Sequence, residues 1–304
     1  MAVKTVQAII NGVTTTLTYN STSKKYEATI TAPATSSYNN NDGHYFPVTI
    51  KATDEAGNVT TKNDTDATLG TSLQLRVKEK TAPAITITYP TASALIINNK
   101  PAIRWKVTDN DSGVNPDTIG ITIDSGGKVT GSAIVKTAIT GGYDCTYTPT
   151  TALSDGSHTI KIDAADNDGN AATQKSVTFK IDTVPPTLSV TAPVNGLITN
   201  KAACTVTGTT NDITSSPVTV TVKLNSGSAE AVTVGADGSF SKALTLVSGG
   251  NTITVVATDS AGKSTTVTRT VTLDTVAPTI KAVTLTPNPV DAGKTYVISV
   301  EVTD

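Results

Sequence analysis

The sequence predicts an all-β protein of several small sandwich modules arranged end to end, and three observations predict it. About one residue in five is threonine, and Val, Ile and Thr fill the runs between glycines. Such β-branched side chains pack well on a pleated surface and lose rotamers in a helix. Second, 22 glycines and 14 prolines stand mostly at the ends of those runs, where they break helices and form turns. Third, one motif occurs in three copies: TDEAGNVTT at Thr53–Thr61, ADNDGNAAT at Ala165–Thr173 and TDSAGKSTT at Thr258–Thr266. Its leading Asp recurs after 112 and then 93 residues. That period suits a seven-strand sandwich and is too long for a solenoid or propeller repeat.

A second marker opens each copy. DTVPPT at Asp182 and DTVAPT at Asp274 lie 92 residues apart, with EKTAPA at Glu79 as an earlier cousin. These markers divide the chain into residues 1–80, 81–182, 183–274 and 275–304. Proline fixes its own φ and pushes its predecessor toward extended shapes, so the junctions are expected to be short and stiff.

Within the second copy, Ile103, Trp105 and Val107 alternate with Arg104, Lys106 and Thr108. A period of two with large apolar groups on one side marks a half-buried strand, with Trp105 in its core. Tyr143, Cys145 and Tyr147 repeat the pattern against Asp144, Thr146 and Thr148. HTIKIDAAD runs into NDGN as NTITVVATD runs into SAGK, which predicts hairpins. Asp54, Asp166 and Asp259, closing these runs, are placed to accept hydrogen bonds from turn amides.

The two ends are irregular. The opening VKTVQAIINGVTTTLTYN lines up with the middle strands of the later copies, so residues 1–80 form a divergent or incomplete sandwich without the usual opening strands. Residues 275–304 supply only first strands, in which Ile298, Val300 and Val302 match Ile103, Trp105 and Val107. Completion by residues beyond Asp304, or pairing of one chain's end with another's start, are both open for this segment.

Composition narrows the function classes. With 23 basic and 25 acidic residues the net charge is −2, and no basic face is concentrated anywhere, so neither nucleic acid nor membrane insertion is expected. No run approaches 18 apolar residues, and the N-terminus lacks the apolar core of a secretory signal. The only histidines, His44 and His158, follow Asp-Gly turns and form no catalytic constellation with the two cysteines, Cys145 and Cys204. Those cysteines fall in different modules and are expected to be free, buried thiols. No finger-type metal spacing and no phosphate-binding glycine loop is present. The expectation is a protein that is not an enzyme and carries no cofactor, calcium excepted.

The DTVPPTLSVTAP opening, the VTDNDSG loop after the second strand and the TDxAGN hairpin together resemble the bacterial immunoglobulin-like domains of surface adhesins and of phage tail and virion proteins. The resemblance extends over nearly the whole chain and specifies a scaffold, with no ligand motif to carry over. It implies tandem immunoglobulin-like β-sandwich modules. It also implies a structural or accessory role in a phage virion or tail, giving spacing and weak contact with host-surface glycans, beside other virion or surface proteins. The missing signal favours the virion over the alternative, a fragment of a bacterial cell-surface adhesin. An accessory portion of a glycan-processing enzyme is a third class.

Two candidate sites follow from the residues. Asp109, Asp111, Asp166 and Asp168 lie in the loops after the second and sixth strands of the second module, at the end where the chain enters with Glu79. Five carboxylates converging there would suit calcium, which takes several oxygen ligands in flexible geometry. DNDSG and DNDGN begin like an EF-hand loop, but the twelfth position is Gly120 or Val177 instead of Glu, which excludes that motif. The second candidate is a sugar platform of Tyr38, Tyr45 and Phe46 in the polar stretch SSYNNNDGHYF.

Overall fold

Strands account for nearly all the regular structure of residues 2–304, which a computed structural model describes. Two short 3-10 segments, Gly70–Leu73 and Gly131–Ala133, are the only helical pieces among the described residues. Among the described residues no helix is long and apolar enough to cross a membrane. The chain divides into two compact units, one reaching to Ile181 and the other spanning Asp182–Asp304.

The first module has strands β1 (Val3–Ile10), β2 (Val13–Asn20), β3 (Lys25–Glu27), β4 (Phe46–Asp54), β5 (Val59–Lys62) and β6 (Gln74–Leu75). They form one sheet in the order β3-β2-β1-β4-β5, with β6 paired to β4. A divergent or incomplete sandwich is expected here, and among the described residues the strands join in a single sheet. The reason lies in the strands themselves. VTTTLTYN spends its alternate positions on threonine, and Ala8, Phe46 and Leu73 are the only buried apolar residues of the module among those described. Two such polar sheets would have little apolar surface to bury between them. Instead the strandless segment Ile30–Pro33 lies over Ala8, Ile10 and Val13, leaving a pocket of about 220 Å³.

The second module follows with β7 (Ala84–Tyr89), β8 (Leu95–Ile96), β9 (Ile103–Thr108), β10 (Val114–Ile123), β11 (Val135–Ile139), β12 (Gly142–Tyr147), β13 (Gly156–Asp166) and β14 (Lys175–Ile181). Sheet β11-β12-β9-β7 faces sheet β10-β13-β14-β8, the division of strands of an immunoglobulin sandwich. Ile103, Trp105 and Val107 are fully buried while Arg104 and Lys106 are exposed. Cys145 and Ile87 flank Trp105 in register on the neighbouring strands. Each such buried side chain contributes roughly 1.5–3 kcal/mol. Cys145 is free, and burial pushes its thiol up to about 11.

His158, on the inner face of β13, is buried and bonded at both ring nitrogens, Nδ1 to Asp124 Oδ2 at 2.8 Å and Nε2 to the Ser154 carbonyl at 2.7 Å. Burial disfavours the imidazolium, but the Ser154 and Asp124 bonds outweigh it, and the pKa rises above the usual 6.5. A raised folded-state pKa stabilises the fold fully below the unfolded value, and this contribution is lost as pH rises through the folded one. Calorimetry should therefore show the second module melting lower at pH 9 than at pH 6. His158→Gln should reduce that difference, and an unchanged pH dependence in the variant would refute the assignment.

The third module has β15 (Thr187–Ala192), β16 (Leu197–Thr199), β17 (Ala203–Asn211), β18 (Thr219–Leu224), β19 (Glu230–Val232), β20 (Ser239–Thr245), β21 (Gly249–Thr258) and β22 (Ser264–Leu273). Sheet β15-β17-β20 faces sheet β16-β22-β21-β18-β19. It repeats the second module except that β19 pairs with β18, whereas its counterpart β11 stays on the β9 side. Its core joins Val206, Val220, Val222, Ile253, Val255 and Val271 around Phe240, and Cys204 is again buried and free. In both modules a short strand pairs in parallel with the last one, β8 with β14 and β16 with β22.

Beyond it β23 (Thr279–Thr286) and β24 (Val297–Thr303) form an antiparallel hairpin. Ile298, Val300 and Val302 lie opposite Leu285, Val283 and Ile280, and all six are exposed. The apolar row predicted for this segment is formed, and no facing sheet covers it among the described residues.

Candidate functional site

Period-two alternation carries acids to the rim of each core. On β9 the inward row is Ile103, Trp105 and Val107, and the next inward position is Asp109, only 7% exposed. On β13 the row is His158, Ile160, Ile162 and Ala164, ending in Asp166 at 1%. The two rows belong to facing sheets and run out at the same end, so both carboxylates reach that end from inside. Glu79 arrives there from the segment before β7. A carboxylate oxygen from each of Glu79, Asp109 and Asp166 lies within 4.8 Å of the others.

The structure brings together three of the five acids expected at this end, and Asp111 and Asp168 are held elsewhere. Both Asp111 oxygens accept the Ser36 amide at 2.9 Å, which ties the first module's long loop to the second module. Asp168 Oδ2 accepts the Glu79 amide at 3.0 Å. The DNDSG and DNDGN strings place their second Asp on the outer side of each turn, where neighbouring backbone claims it. Asp109 Oδ1 accepts the amides of Asp111 at 3.0 Å and Gly113 at 2.8 Å. Gly113 has φ +82, which lets its amide turn back to Asp109. Glu79 Oε1 accepts the Ser112 amide at 2.6 Å. Asp166 is fully taken up by Asn170, whose amide reaches Oδ1 at 2.8 Å and whose side chain reaches Oδ2 at 2.7 Å.

The third module contains a second cluster that the sequence reading missed, formed by Asp182, Asp212 and Asp259, with one oxygen from each again within 4.8 Å. All three are buried, at 1%, 8% and 5% exposure. Their positions repeat the first set. Asp212 extends the inward row Cys204, Val206, Gly208, Thr210 of β17, and Asp259 extends Ile253, Val255, Ala257 of β21. Asp182 stands five residues before β15, as Glu79 stands five before β7. The available signal was this inward row with the fixed offset. It was obscured because each acid occurs singly, in IDT, NDI and TDS, without the paired-Asp strings of the second module.

The aromatic trio does not form the exposed platform expected of it. Phe46 opens β4, opposite Leu75, and is buried at 4%. Tyr38 is half-buried, its ring stacked on His44 at 4.0 Å between centroids and 8° between planes. Tyr45 is half-buried too, and its hydroxyl donates to Asp64 Oδ2 at 2.9 Å. In a module this poor in apolar residues the aromatics are drawn into what core there is, and the polar neighbours in SSYNNNDGHYF hide this from the sequence.

Residues 91–183 match the model of the bacterial Ig-like domain, and residues 186–275 match that of glucodextranase domain B. Among solved structures, the fibronectin(III)-like modules of Clostridium thermocellum CbhA share 18% identity over 63% of this chain and 94% of theirs, with a TM-score of 0.32. Three immunoglobulin domains of titin share 12% over 90% and 88%, at 0.44. Drosophila N-cadherin EC1–3 shares 14% over 89% and 89%, at 0.29. No curated protein matches the chain. The chain thus carries tandem immunoglobulin-like modules, and residues 91–183 match the bacterial Ig-like domain.

Proposed function

We propose that the chain is a structural or accessory component displayed on a bacteriophage virion or its tail, where repeated modules set spacing and make weak, multivalent contact with the host surface. The observation that carries this reading is the repetition itself. Two consecutive sandwich modules, alike but for the placement of one strand, each close a core of their own, and each directs its inward acids to one end of its sandwich. His158 is bonded at both ring nitrogens, and the thiols of Cys145 and Cys204 are buried with raised pKa. Weak single contacts gain from display in many copies, because linked sites raise one another's effective concentration.

The match of residues 186–275 to glucodextranase domain B favours a second reading, an accessory module carried beside carbohydrate-acting machinery. Immunogold electron microscopy with antibodies to residues 84–273 separates the readings. Label on intact particles released from the source strain is the expected result. Label on the bacterial surface with bare particles would overturn the virion assignment in favour of a cell-surface adhesin, and recovery with a secreted glycan-cleaving activity would favour the accessory reading.

A further inference from the structure

The three carboxylates of the third module lie in a setting that ordinary hydrogen bonding does not balance. Asp182 Oδ1 accepts the Val184 amide at 3.1 Å, and its Oδ2 accepts the Ser215 hydroxyl. Asp212 Oδ1 accepts the amides of Thr214 at 2.8 Å and Ser215 at 2.7 Å. Asp259 Oδ1 accepts the Lys263 amide at 2.9 Å, but Asp259 Oδ2 is buried with no partner at all. No lysine, arginine or histidine pairs with any of the three among the described residues. Buried like charges at this separation repel strongly, and a buried carboxylate oxygen without a partner is costly.

The second module shows what is missing. There the residue four after the acid is Asn170, whose side-chain amide satisfies Asp166 Oδ2. In the first module Asn58 does the same for Asp54 at 2.9 Å. In the third module that position is Lys263, which offers its backbone amide to Oδ1 and leaves Oδ2 open.

We infer that Asp182, Asp212 and Asp259 form a binding site for a hard divalent cation of the calcium class, and that it is the tighter of the two acidic clusters. An all-oxygen, all-carboxylate donor set selects such a cation over zinc or copper. Calcium takes six to eight oxygens at about 2.3–2.6 Å, so a ligand spread of 4.8 Å fits around one ion. The open Asp259 Oδ2 is the counterpart of Asp166 Oδ2, which the Asn170 amide occupies in the second module. Since Asp182 precedes β15 while Asp212 and Asp259 follow β17 and β21, a bound ion joins the entering segment to both sheets of the module.

The test uses the full chain, stripped with chelator and titrated with calcium chloride, with magnesium as control. Isothermal titration should show one tight calcium site. Calorimetry in millimolar calcium should raise the transition that carries the third module by about 5–10 °C relative to chelator, since binding only the folded state stabilises it by mass action. Asp259→Asn should abolish both effects. In chelator it should melt no lower than the parent chain, because it removes one of three repelling charges. Asp109→Asn should leave the tight site intact. Absence of binding heat together with identical melts in calcium and chelator would overturn the inference. So would tight binding that survives Asp259→Asn but is lost in Asp109→Asn. An Asp259→Asn chain that is destabilised in chelator, beside a parent indifferent to calcium, would mark the cluster as a structural cap only.

Discussion

Replacing Trp105 by alanine should destabilise the second module by about 3–5 kcal/mol, the range for truncating a large aromatic in a packed core. The side chain is fully buried, between Cys145 and Ile87 on its own sheet and among the core residues of the facing one. A module of this size has a net stability of roughly 5–15 kcal/mol, so the loss takes a large share of it. Trp105→Phe should cost much less. The Trp105 Nε1 is buried without a partner, so phenylalanine forfeits volume but no hydrogen bond. Trp105 is the only tryptophan, so the comparison needs far-UV circular dichroism or calorimetry. If the alanine variant were within 1 kcal/mol of the parent, or if phenylalanine were as damaging as alanine, the role given to this side chain would be wrong.

An alanine at Gly208 should cost the third module about 2–3 kcal/mol by overpacking. On β17 this glycine lies between Val190 of β15 and Phe240 of β20. A Cβ there would stand 2.2 Å from the Ser189 carbonyl oxygen and 2.5 Å from the Phe240 ring. The ring can rotate away at the expense of the core, but the carbonyl belongs to a paired strand and cannot. Phe240→Leu in the same chain should therefore restore only part of the loss, and the double-mutant cycle measures the shared portion. Gly208 lies in the unit that begins at Asp182, so the transition of the preceding unit should not move. A Gly208→Ala chain that melts like its parent would show that β15 yields freely at this point.

How much of this was legible depended on whether the signal was periodic. The β9 row of Ile103, Trp105 and Val107 could be read directly because alternation is a property of neighbouring letters, and the structure buries all three. The turn acids Asp54, Asp166 and Asp259 were legible for the same local reason, and each accepts the amide four residues on. Sites assembled from separate strands were harder. Asp109 and Asp166 attracted notice through their Asp-Asn-Asp strings, which also drew in Asp111 and Asp168, whose carboxylates serve backbone amides. Asp212 and Asp259 had no such string, although each stands two positions beyond the last inward residue of its strand. Phe46 was misjudged because its polar neighbours in sequence are not its neighbours in space. The single sheet of the first module could not be foreseen from strands whose threonines suit either face.

The parallel pairing of the short strands has a consequence for a chain held under tension. A pull on the two ends of the second module draws β8 and β14 in opposite senses along their common axis, because the chain enters before β8 and leaves at the far end of β14. Hydrogen bonds across a parallel pair then resist together in shear, whereas a pair peeled from one end gives way bond by bond. Two residue pairs join β8 to β14, and three join β16 to β22. The third module therefore presents the longer shear clamp, and under steadily rising load the second should open first and lengthen the tether while the third still holds.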